Sequence, residues 1–127
     1  MALSQEYLSI PGLLAGADLS GSQYKVVKLA STAGEVVLVG ATSTRAIGIL
    51  QNDPADGEPA DVAYSGVCKA LAGPTDVAFG EVLGHDSTSR VADHTTDNRP
   101  IIARALEAST AANDIIRVAI IPGGLRY

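Results

Sequence analysis

A chain of 127 residues is the size of one domain, or of one domain with an arm. Hydrophobic residues make up 46% and charged residues 18%, which is too apolar for a disordered chain. A net charge of −5 with only 4% aromatics argues against a nucleic-acid binder, which needs a basic footprint and stacking rings, and against docking on anionic membranes.

With one Phe, four Tyr and no Trp, any core must be built from Val, Ile, Leu and Ala. Residues 1–16 carry Glu6 and no basic start, so no signal peptide is expected. No apolar run approaches the roughly 18 residues of a membrane span. Residues 1–18 read as an extended arm, because Pro11 and Gly12 oppose a helix. Alone, the arm would expose Leu3, Leu8, Ile10, Leu13 and Leu14. It is expected to pack on another chain or add to its sheet; the alternative is folding back on its own domain. On the first reading, removing residues 1–18 leaves the domain folded.

Residues 19–127 read as a single β-rich domain. Residues 24–29 (YKVVKL) and 35–39 (EVVLV) are strands flanking a turn at 31–34. Residues 45–50 (RAIGIL) form the next strand, where Gly48 points to a bulge or a close backbone approach. Asn, Asp, Pro and Gly then crowd 51–59, a dense turn signal. Residues 61–72 alternate, with Val62, Tyr64, Gly66, Cys68 and Ala70 on one face. Short strands follow at 81–86 and 90–92, with a polar loop at 93–98. Residues 101–108 (IIARALEA) suit a helix by propensity. A weak echo of the 45–66 order in 99–123 favours a strand there. Residues 115–121 (IIRVAII) carry the strongest strand signal. Many short strands predict a mainly β fold, a small β-sandwich or barrel-like domain.

Chemistry is sparse. No phosphate loop, nucleophile elbow or H-E-x-x-H is present. Cys68 reads as a small buried hydrophobe rather than a nucleophile. His85, Asp86, Asp93 and His94 could meet around a divalent metal across a hairpin, but Ser and Thr around them favour a solvated loop. Asp53, Asp56, Glu58 and Asp61 make an acidic turn in which Pro54 and Pro59 break calcium-loop spacing. No metal, cofactor or catalytic residue is therefore expected. Arg45, Arg104 and Arg117 lie inside apolar strands, on a solvent face or at an interface.

The run Arg45-Ala46-Ile47-Gly48-Ile49-Leu50-Gln51-Asn52-Asp53-Pro54, then Gly57, then Ala60 through Val67, resembles the middle of tailed-phage capsid decoration (cement) proteins. Residues 102–108 and 116–124 resemble that family's closing pattern, with Ala103 in place of its usual Gly. The resemblance spans residues 23–127 and leaves the arm outside. It implies a structural virion protein, not an enzyme, made in the host cytoplasm and placed on the outer surface of an icosahedral head. Its implied partners are the major capsid protein and copies of itself, as a trimer or a dimer. A tail or baseplate module and a ligand- or metal-binding β-barrel are the alternatives. Apolarity and position single out Leu3, Tyr7, Leu8, Ile10, Leu13, Leu14, Arg45, Arg104 and Arg117 as interface residues.

Overall fold

The computed structural model describes residues 6–40, 46–73, 77–93 and 101–121. The strands are Glu6–Ser9 (β1), Leu14–Ala15 (β2), Val26–Leu29 (β3), Glu35–Leu38 (β4), Ala46–Leu50 (β5), Val62–Leu71 (β6), Val82–His85 (β7), Val91–Asp93 (β8), Ala103–Ala105 (β9) and Ile115–Ile120 (β10). Among the described residues there is no helix, and the mainly β class expected from the short apolar runs is the one formed. The helix-compatible run at 101–108 contains β9. Ala103 and Ala105 are buried there and Arg104 is exposed, a period of two rather than 3.6.

All ten described strands share one sheet, ordered β2-β4-β3-β5-β6-β10-β9-β7-β8, with β1 added on β6. The sheet curls until its far end meets its middle. Val91 of β8 bridges Ala72 in parallel, and Gly73 N–H donates to the Val91 carbonyl at 2.8 Å. Val26 N–H donates to the Ser89 carbonyl at 2.6 Å. The domain is therefore barrel-like, and these contacts cover backbone edges that would otherwise stay open.

The core has two parts, both aliphatic. The larger joins Val26, Ile49, Cys68, Leu83, Val91, Ile116 and Val118. The smaller joins Leu13, Ala15, Leu19, Val27, Val36, Leu50 and Val62. Aliphatic residues and Cys68 fill both, as the shortage of aromatics requires; Tyr7 only packs against the first from its edge.

The smaller cluster settles how residues 6–19 behave. They were expected first of all to leave the domain for another chain. Instead β1 pairs antiparallel with β6, and β2 pairs parallel with β4. Leu13 is 8% exposed and Ala15 is fully buried. The chain takes the fold-back alternative because a nearby edge and an apolar slot are both available within it.

Strand β6 organises the rest. On one edge, Val62 and Ala63 pair with β5 and Gly66 to Leu71 pair with β10. The other edge takes β1 along Ala63 to Val67. The strand thus changes partners between Ala63 and Gly66. Gly66 has φ +97, and a side chain there would strike the Glu6 carbonyl, so only glycine fits without strain. This irregularity breaks the expected alternation. Tyr64 is exposed, while Ala63 and Cys68, five apart, sit in the same cluster. Gly48 lies directly under the Ala63 carbonyl, the close approach that its place in a strand suggested.

The turn after β5 is strapped from several sides. Asn52 Nδ2 donates to the Pro59 carbonyl at 3.0 Å, and Asn52 Oδ1 accepts from Asp61 N–H at 2.9 Å. Ala15 N–H donates to the Glu58 carbonyl, and Gly57 N–H to the Ala15 carbonyl. Gln51 is buried and donates to the Lys69 carbonyl at 2.9 Å. The Leu-Gln-Asn stretch of the resemblance is thus explained by turn construction.

Candidate functional site

Asp86 and His85, weighed as metal ligands, have structural partners. Asp86 Oδ1 accepts from Thr88 N–H, Thr88 Oγ1 and Arg90 N–H. Its Oδ2 faces Arg90 Nε at 3.1 Å. This is a carboxylate closing the β7–β8 hairpin. His85 was expected in a solvated loop, but it ends β7 with its ring buried and Nδ1 3.2 Å from the Asp86 carbonyl. His94 falls outside the described residues. Among the described residues, no three His, Cys, Asp or Glu side chains gather as metal ligands.

Cys68 is buried, and burial pushes its thiol up to about 12. Tyr7 donates its hydroxyl to Asp61 Oδ2 at 2.6 Å. Burial, then the Asp61 hydrogen bond and charge, raise its pKa to about 12. Both groups hold their protons more tightly folded than unfolded, where they titrate near 9.0 and 10.0. Their stabilisation is complete below about pH 9 and is lost as pH rises towards 12. The urea midpoint should therefore fall from about pH 9 upward, and Cys68→Ala should delay that onset to about pH 10.

The structure sorts the expected interface residues. Leu3 and Arg45 lie outside the described residues. Leu13 is a core residue and has no surface to offer, because the arm folds back. Tyr7 is half-buried; Leu8 and Leu14 are exposed, at 61% and 40%. Ile10 enters a cleft.

That cleft, about 670 Å³, opens where β6 changes partner, and so between β5 and β10. Ile47 and Gly48 line one side, Ile102 and Ile120 the other, and Ile10, Leu29 and Tyr64 the rim. Leu29 is 53% exposed and Tyr64 36%. Among its described lining residues, only Tyr64 can ionise. The other described lining residues are all aliphatic or glycine, the makeup of a docking surface.

A second surface crosses β6, β10 and β9. Lys69 lies opposite Arg117, and Arg104 lies opposite Ala119, two residues on. Buried neighbours on both sides put all three on the outer face. Arg117 faces Glu107 Oε1 at 3.6 Å, and Glu107 also accepts Arg117 N–H at 2.7 Å. Arg104 donates to the Gly80 carbonyl at 2.8 Å. Beside it, Phe79 is 74% exposed. Reading the sequence missed Phe79; the signal was there, since the chain's single Phe sits beside Gly80 in a connection where no core demands it.

None of the curated proteins searched matches the chain. The chain is similar to a solved structure described as the head fiber gp8.5 N base in bacteriophage phi29. The two share 12% identity with a TM-score of 0.65, over 96% of this chain and 100% of that one, which is a likeness of fold. A family model described as phage cement protein matches residues 21–120. That is most of the chain, so the protein belongs to the phage cement family, structural proteins of the phage head.

Proposed function

We propose that the protein binds the outer surface of an icosahedral phage head and stabilises the lattice of the major capsid protein, without catalysis. The apolar cleft carries this reading. Exposed Leu29 and Tyr64 around a recess whose other described lining residues are aliphatic or glycine make a docking surface. Family membership supports the head over a tail or baseplate placement. Many copies with modest contacts would hold an expanded shell by avidity. The protein would be made in the host cytoplasm and would self-associate, as a trimer or a dimer. A net charge of −5 would keep the free chain off packaged DNA.

Heads lacking the protein provide the test. Wild-type protein should co-sediment with expanded heads and raise their resistance to heat. Leu29→Asp with Tyr64→Asp should weaken that binding at least about tenfold, since polar groups would then face an apolar contact. Both sites are exposed, so the melting curve of the variant should stay close to wild type. A wild-type protein that leaves heads unbound overturns the reading, and equal binding by the variant removes the cleft from it.

A further inference from the structure

We propose that copies of this chain join head to tail, with the acidic turn of one copy seated on the cationic stripe of the next. The inference rests on the self-association in the reading above and identifies its contact.

The stripe is built at a local cost. The described residues include six Lys and Arg side chains (Lys25, Lys28, Lys69, Arg90, Arg104, Arg117), and half of them share the outer face of β6, β10 and β9. Lys69 and Arg117 stand directly opposite across the β6–β10 pair, where like charges repel. Among the described residues, two carboxylates answer on that face. Glu107 pairs with Arg117, and Glu6 stands opposite Val67. Three cations against two anions leave a positive surface on a chain whose net charge is −5. Carboxylates from a partner would relieve the repulsion, and guanidinium forks suit them in shape as well as charge.

The same chain carries the complement. Asp53, Asp56 and Glu58 are all exposed on the turn between β5 and β6. Asn52, Ala15 and Leu19 strap that turn, so little order would be lost on binding. It cannot fold onto its own stripe. Asp61 enters β6 and Lys69 lies eight residues along it, about 26 Å at the rise of an extended strand. The charge complementarity between turn and stripe makes a second copy the occupant. Because two different patches meet, the contact is heterologous, and it closes into a ring when the rotation between copies allows. Three copies would give the trimer. Phe79, exposed beside Arg104, adds apolar area at the edge of the seat.

Charge reversal tests this. One variant carries Lys69→Glu with Arg104→Glu; a second carries Asp53→Lys with Asp56→Lys; a third combines all four. Arg117 and Glu58 stay, because the Arg117 guanidinium pairs with Glu107 and Glu58 accepts Ala55 N–H within the turn. Sedimentation velocity over a range of protein and salt concentrations reads the mass. Wild type should be an oligomer that loosens as salt rises. Each two-site variant should associate at least about tenfold more weakly, and the four-site variant should regain the wild-type mass. A monomeric wild type overturns the proposal. So does an unchanged mass in either two-site variant, or a four-site variant that stays apart. Head co-sedimentation is measured separately. Heads bound by a dissociated variant leave the docking reading standing, and an intact oligomer that ignores heads sinks only that reading.

Discussion

Replacing Gly48 by valine should lower the unfolding free energy by at least about 3 kcal/mol, at the upper end of overpacking costs. A β-carbon at this position would meet the Ala63 carbonyl oxygen, with Val62 Cγ1 at 2.8 Å. Neither obstacle is the movable end of a flexible side chain. Ala63 and Val62 are fully buried in the two halves of the core, so room can come only from parting β5 from β6. That would break the Ile49↔Ala63 and Leu50↔Val62 pairs and uncover both clusters at once. Urea denaturation followed by circular dichroism measures the loss. An unchanged midpoint would mean that the two backbones do not approach as described.

Removing residues 1–15 should cost about 3–6 kcal/mol, judged from what single buried leucines are worth. Domains of this kind hold only about 5–15 kcal/mol in total, so the shortened chain should be marginal or unfolded at 37 °C. Leu13 and Ala15 leave the smaller cluster. Tyr7 leaves the edge of the larger one, and Asp61 loses its hydroxyl partner. The turn also loses the two backbone bonds between Ala15 and residues Gly57 and Glu58. Had the segment been an arm for another chain, the cut would have left the domain intact. A truncated protein that melts within a few degrees of wild type would restore that reading.

Much of the fold was legible because its signals are local. Val- and Ile-rich runs mark β3, β4 and β10, and the crowd of Asn, Asp, Pro and Gly marks the long turn. Gly48 announced a close approach correctly, since glycine inside a strand has few other uses. Two things were hidden for a physical reason. Whether residues 6–15 stay or leave depends on which edge of β6 is vacant, a property of residues nearly sixty positions away. The face of Tyr64 depends on an irregularity at Gly66 that shifts the alternation, and a strict period of two cannot anticipate it. The candidate surfaces divide the same way. Arg104 and Arg117 stood out as charges in apolar strands, but their union with Lys69 needed the β6–β10–β9 register. The cleft belongs to no segment; it exists because one strand serves two neighbours.

That double service has a kinetic consequence. β6 takes β1 from the beginning of the chain and β10 from residues 115–120. Such pairings across long sequence separations are slow, because chain entropy must be lost before any contact repays it. During synthesis, β6 leaves the ribosome some fifty residues before β10, with half of one edge unsatisfied. The β6–β10 pairing can close only after residues 115–120 have emerged, and folding on the millisecond-to-second scale is expected once they have. Until then an apolar strand edge is open to any neighbour. Chaperone demand and yield should therefore respond most sharply to changes in β10, the last of the described strands to arrive.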